Sequence, residues 1–252
     1  MATQIGLKIF EEAFKGFEDQ YVLIGGSATQ LAMENAGQQF TRTTKGLDIV
    51  VIVDALTPEF IERFWEFVKA GQYEIQQKSD STRQFYRFKK PETAGYPFML
   101  ELFSRKPDFL REGDISDIRA IPLAEDVSSL SAILLDDDYY GLIQRDRRDG
   151  VIWVDAPILI PLKVKAWLDL SGRKRVGEKI DSDDIKKHLR DVLRLVSILP
   201  SDFKYELPQS IKQDMEQFLD QAKDESVDLS GLNHPKGSNL ADVLNQIKQA
   251  FL

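Results

Sequence analysis

Three groups of residues in this sequence have types and spacings suited to chemistry. Gly25-Gly26-Ser27 follows the short apolar run Tyr21 to Ile24. A glycine pair and a hydroxyl at a strand-to-helix turn bring backbone N–H groups close to an anion, and the helix that follows adds its positive end. Asp48 lies at the start of a β-branched run, Leu47 to Val53, where a carboxylate could hold a divalent cation beside that anion. Glu101 stands alone among apolar neighbours in Phe98-Met99-Leu100-Glu101-Leu102-Phe103, and period-two alternation puts it on one face with Met99 and Phe103. A carboxylate in that setting is costly to bury without a partner. It either points out of an edge strand or turns to the same site as Asp48. Taken together, these residues suit phosphate-and-metal chemistry; the plainer alternative is an ordinary βαβ turn with an acid at a strand edge.

The surrounding chain supplies elements to hold them. The i, i+4 spacing of Ile5, Ile9, Phe10, Phe14 and Phe17 predicts a helix over residues 1–20. Tyr21 to Ile24 reads as a strand and Ser27 to Ala36 as a helix. Leu47 to Val53 is apolar on both faces and reads as an interior strand. Thr57-Pro58-Glu59 predicts a helix start, with Thr as cap and Pro in the first turn. Strands are predicted at Arg83 to Phe88 and Phe98 to Phe103. Between residues 106 and 156 the pattern weakens; Ile133 to Leu135, Gly141 to Gln144 and Val151 to Val154 read as short strands. Asp136-Asp137-Asp138 reads as solvent-facing acids of a loop.

From Pro157 onward the pattern is helical, which divides the chain into a core over residues 1–156 and an α-helical C-terminal domain over residues 157–252. Helices are predicted from Pro161 to Leu170, from Ile185 to Leu199 behind a Ser182-Asp183-Asp184 cap, from Pro208 to Lys223 and from Asn239 to Phe251. Arg173-Lys174-Arg175 reads as a basic loop. Between Lys163 and Arg194 there are ten Lys or Arg and six Asp or Glu, a local balance of +4 in a chain of net charge -8. Such a run is either a solvated face or a surface for a triphosphate or polyanion. Lys163 and Lys165 project about 200° apart around a helix axis, so only one can face a given site. His188 borders an apolar stripe and reads as a packed imidazole.

The composition narrows the classes. At 252 residues, with 42% hydrophobic and 29% charged residues, the chain is long enough to bury a sizeable core in one large or two modest domains. It has no cysteine and two histidines, too few nitrogen and sulfur ligands for a zinc site. The N-terminus carries two glutamates and amphipathic spacing rather than the basic start and apolar run of a signal peptide, and no apolar run reaches membrane-spanning length. These features point to a cytoplasmic protein with no membrane partner. The negative net charge argues against nonspecific coating of nucleic acid.

Gly25-Gly26-Ser27 followed by Thr43-Thr44-Lys45-Gly46-Leu47-Asp48 resembles the signature of polymerase-β-type nucleotidyltransferases, and most closely their minimal bacterial branch, which includes AbiEii-like toxins. Lys163-Val164-Lys165-Ala166 with Asp184 to Asp191 resembles the helical half of those toxins. The resemblance covers roughly residues 20–105 and 157–196. It implies an α/β fold, a mixed-sheet nucleotidyltransferase core followed by an α-helical domain. It implies Mg2+ or Mn2+ held by Asp48 and Glu101, with Gly25, Gly26, Ser27 and Lys45 on the nucleotide, Lys163 or Lys165 on phosphate, and Asp191 placing the phosphate or a base. The implied activity moves a nucleoside monophosphate from an NTP to an acceptor hydroxyl, on a tRNA 3′ end or a protein. The setting is toxin–antitoxin or phage defence, with a cognate antitoxin as partner. One position departs: where the pattern has the first of two acids, this chain has Gly46. Either the glycine is an inactivating change in an enzyme, or it is natural and the chain is a nucleotide- or partner-binding module without turnover.

Overall fold

The computed structural model describes residues 2–40, 44, 46–52, 56–80, 83–104, 120–122, 136–145 and 150–252. They form two compact units. The first draws on residues 1–28, 41–135 and 147–154, and the second on 29–40, 136–146 and 155–252. Expectations for Thr43, Lys45, Val53, 106–119 and 133–135 lie outside the described residues.

The first unit begins with α1 (Ala2–Ala13) and β1 (Tyr21–Ile24), from which α2 (Gly25–Asn35) departs without an intervening loop; α2 belongs to this unit through Ala28 and to the second from Thr29. Then come β2 (Gly46–Val51), α3 (Pro58–Gly71), β3 (Glu74–Asp80), β4 (Arg83–Lys89), β5 (Met99–Ser104) and β6 (Ala120–Pro122). The strands make one mixed sheet in the order β1-β2-β5-β4-β3-β6. The β2–β5 and β3–β6 pairs are parallel and the others antiparallel. β2 is interior, as the apolar residues on both of its faces predict. The helix at residues 1–20 is shorter than its pattern: it stops at Ala13, and Gly16 turns the chain at a φ of +91°. α3 starts where its cap signals place it, with Thr57 Oγ1 accepting the Phe60 N–H at 3.3 Å.

Strand register sorts side chains between the two faces. Tyr21 lies opposite Val51, and Leu47 and Phe88 both lie opposite Leu100, so these share one face. That face carries an aromatic core drawn from α1, the turn after it, α3 and β4: Phe10 stacks on Phe14 at 4.3 Å, Phe14 meets Phe60 and Phe64, and Phe64 meets Phe88 at 5.4 Å. A one-residue step moves a side chain to the other face. Asp48 and Arg87 are both in register with Glu101, and all three therefore lie on the face away from the aromatic core.

Residues 151–154 do not form a strand. They touch β1 through a single parallel bridge, with the Leu23 N–H on Ile152 O and the Val154 N–H on Leu23 O.

The second unit contains α4 (Asp137–Arg145), α5 (Ala156–Arg175), α6 (Ser182–Val196), α7 (Gln209–Ala222) and α8 (Leu240–Phe251). α4 replaces both the loop acids and the strand expected at 141–144. Asp137 and Asp138 occupy its first turn, where carboxylates favour the helix dipole, and Tyr139, Tyr140, Leu142 and Ile143 are its buried residues. α5 starts five residues before Pro161, because Asp155 caps the Ala156 N–H; Pro161 is interior to it. The expected basic loop Arg173-Lys174-Arg175 is the last turn of α5, where cations suit the negative helix end. Asp181, rather than Ser182, caps α6, accepting the Asp183 N–H at 2.9 Å. The architecture is α/β, a mixed sheet with helices followed in the chain by an α-helical part. Among the described residues no helix is long and apolar enough to cross a membrane.

Candidate functional site

The site of the first unit is built where β1 gives way directly to α2. Gly25 has a φ of +70°, a left-handed conformation that glycine adopts without a Cβ penalty. A Cβ on Gly25 would fall 1.7 Å from Asp48 Oδ2, so the absent side chain is what lets Asp48 reach the start of the helix. There the Gly26 N–H donates to Asp48 Oδ2 at 3.3 Å. The N-terminal N–H groups of a helix lack intrahelical acceptors and carry its positive end, so this is a seat for negative charge. Ser27 lies in the same turn, but its buried hydroxyl donates to Gly46 O at 2.7 Å. That hydroxyl ties the turn to β2.

Parallel pairing of β2 with β5 sets Asp48 level with Glu101. Glu101 is 6% exposed, so it does not point from an edge strand into water. Burial, then the charge of Asp48 and a hydrogen bond with it, push its carboxyl up to about 8, against the opposing pull of Arg87. Arg87 reaches it from β4, with Nε 2.8 Å and a terminal guanidinium nitrogen 2.6 Å from the same oxygen, Oε1. Two carboxyl groups held level on adjacent strands are a place where a cation would relieve repulsion.

The residues fit one hard cation. Mg2+ is commonly held by one or two carboxylates, with waters and substrate phosphates completing its octahedron, and Asp48 and Glu101 beside a helix N-terminus supply that donor set. A second cation is poorly provided for. Among the described residues no group of three or more His, Asp or Glu could hold a metal. Position 46 cannot simply regain an acid. A Cβ on Gly46 would lie 2.7 Å from Met99 O and 2.9 Å from Met99 Cβ, so β2 and β5 approach too closely there for any side chain without a backbone shift.

Arg87 is a residue that periodicity alone does not single out. Its signal is a lone cation between Tyr86 and Phe88 on one strand, opposite a lone acid between Leu100 and Leu102 on the next, which becomes meaningful only once the register is known.

The residues expected from the helical half form pairs of their own. Lys163, 2% exposed, places Nζ 3.1 Å from Asp191 Oδ2, and Asp191 is fully buried. Arg194 also approaches Asp191, at 3.4 Å, and its guanidinium lies over the Phe40 ring. Lys165 meets Asp214 at 2.7 Å, and the same carboxylate accepts the Tyr139 hydroxyl. Each lysine expected on phosphate thus has a carboxylate already in place within the helical unit. Of the basic run, Lys174 donates to Ser182 Oγ and Arg175 to Gln221, whereas Lys186 is exposed. His188 is buried on α6, the packed position its place beside the apolar stripe predicts.

These features define an α/β unit with a glycine-opened helix terminus and a paired-carboxyl site on one sheet face. No family model matches the chain, and no curated protein sequence matches it. Among solved structures the chain is similar to an antigenic nucleotidyltransferase-like protein from Paracoccidioides brasiliensis, at 12% identity with a TM-score of 0.45, over 99% of this chain and 93% of that one. The functional reading rests on the residues of the site.

Proposed function

We propose that the chain is a divalent-cation-dependent nucleotidyltransferase, moving a nucleoside monophosphate from an NTP to an acceptor hydroxyl. The observation that carries this reading is the level placement of Asp48 and Glu101 on adjacent strands, with Asp48 drawn to the N-terminus of α2 at Gly25-Gly26. In the transfer, an acceptor hydroxyl gives up its proton to water as its oxygen forms a bond to the α-phosphorus, the bond to the bridging oxygen breaks, and pyrophosphate leaves with the electron pair. The Ser27 N–H and the positive end of α2 would face the phosphates while the Gly26 N–H holds Asp48, and Asp48 and Glu101 would hold Mg2+ or Mn2+. The cation would withdraw charge from the phosphoryl oxygens and orient the chain of phosphates. Arg87 fixes the Glu101 carboxyl so that no rotamer search precedes binding. Lys45 on the nucleotide, and an RNA end or a protein side chain as acceptor in a toxin–antitoxin setting, belong to the same proposal.

A second reading has its own support. Gly46 leaves no room for a further acid, and Arg87 already neutralises part of the site, as expected of a nucleotide-binding module without turnover. Label transfer from α-labelled NTPs with Mg2+ to total RNA and total protein separates the two. Transfer that Asp48→Asn abolishes supports the enzyme and gives the acceptor class. Mg2+-dependent NTP binding without transfer would sink the enzyme reading and leave the binding module.

A further inference from the structure

We infer that Arg87 stands in for one of the two cations that carboxylate phosphoryl-transfer sites commonly use, so that this site takes a single divalent cation, shared by Asp48 and Glu101. This rests on the nucleotide-and-metal reading above and specifies how that site is charged. Two-metal sites hold their ions about 3.5–4 Å apart and need carboxylate oxygens for both. Glu101 has one oxygen, Oε1, committed to two guanidinium nitrogens at 2.8 and 2.6 Å. Both partners are largely buried, and a guanidinium stays protonated at any working pH, so this positive charge neither dissociates nor exchanges. Glu101 also lies level with Asp48 across the β2–β5 pair, so the cation that Asp48 holds is the one its remaining oxygen can share. The position from which a further acid would reach the site is closed by Met99 O, 2.7 Å from where its Cβ would be. The glycine and the arginine are then two parts of one arrangement: one removes a ligand, and the other supplies a fixed charge where an ion would have sat. Arg87 acts here as a positioning residue, through Glu101.

The test counts Mn2+ retained by the full-length chain on gel filtration in buffer that contains Mn2+ and a saturating non-hydrolysable NTP analogue, after subtracting the Mn2+ of the same buffer without protein. Circular dichroism confirms that each variant is folded. Wild type is expected to bind one Mn2+ per chain and Arg87→Lys also one. Arg87→Met is expected to bind two, and Glu101→Gln placed on top of it returns the count to one. Should Arg87→Met fail to fold, Arg87→Gln, which keeps a hydrogen bond without the charge, is expected to bind two. Two ions on wild type, or one on a folded Arg87→Met or Arg87→Gln, would overturn the inference and leave the metal reading intact. No Mn2+ on wild type would overturn the metal reading itself, and this inference with it.

Discussion

Replacing Gly25 with alanine tests whether the turn exists to seat Asp48. Two costs are expected. Placing a Cβ at a φ of +70° costs about 1–2 kcal/mol for an L-residue. That Cβ would also fall 1.7 Å from Asp48 Oδ2 and 3.0 Å from Asp48 Cβ, so rotating the carboxylate alone gives only partial relief. Moving Asp48 away breaks its hydrogen bond from Gly26; charge-assisted bonds are worth about 1.5–3 kcal/mol, and at 3.3 Å this one belongs at the lower end. Gly16→Ala, in the same unit, is the control. Its φ is +91° but nothing lies within 4 Å of the added Cβ, so it carries the backbone cost alone. Gly25→Ala should therefore exceed Gly16→Ala by about 1.5 kcal/mol, which for a chain of this size is about 3–6 °C in Tm. Paired thermal and urea unfolding would measure the difference, and Mn2+ titration should show weakened binding for Gly25→Ala only. Equal destabilisation by the two substitutions, with metal binding intact in both, would refute the account of the turn.

Two other expectations concern the helical unit. Asp191→Ala removes the carboxylate that faces the buried Lys163 ammonium and should cost about 3–5 kcal/mol, whereas Lys165→Met, at a partly exposed pair, should cost about 1 kcal/mol or less; urea midpoints that rank them the other way would contradict the assignment of Lys163–Asp191 as a buried structural pair. Burial lowers the pKa of His234 from its ordinary 6.5, against the opposing effect of its bond to Leu193 O, so the unfolded chain takes up the proton first as pH falls. Its contribution is flat above about pH 6.5 and becomes destabilising below it, and His234→Gln should make the loss of stability between pH 7.5 and 5.5 shallower than in wild type; an identical slope would show that this imidazole is not linked to folding.

Legibility followed the range of the forces involved. β1, the helix after the glycine turn, the start of α3 and the C-terminal helices are set by local periodicity and capping, and their residues announce them in one dimension. α4 reads as strand and loop in one dimension because Asp136-Asp137-Asp138 has the same composition in a solvent-facing turn as at a helix start, and only burial of Tyr139 and Tyr140 separates the two. The basic run was ambiguous for a related reason. Lys163 and Arg194 look like surface charges in sequence, and only helix packing shows that they converge on a buried Asp191.

For the candidate site the division is sharper. The sequence by itself determined the donors: a glycine pair that frees backbone N–H groups, a carboxylate at a strand start and a second one stranded among apolar residues. Those are properties of residue type and immediate neighbours. Tertiary structure decided the partners. Parallel register set Asp48 level with Glu101, antiparallel register brought Arg87 to the same oxygen, and the close approach of β2 and β5 at Met99 made Gly46 a requirement of packing. Pairing between strands distant in sequence depends on which register buries the aromatic face. That choice belongs to the whole sheet and is written in no single segment.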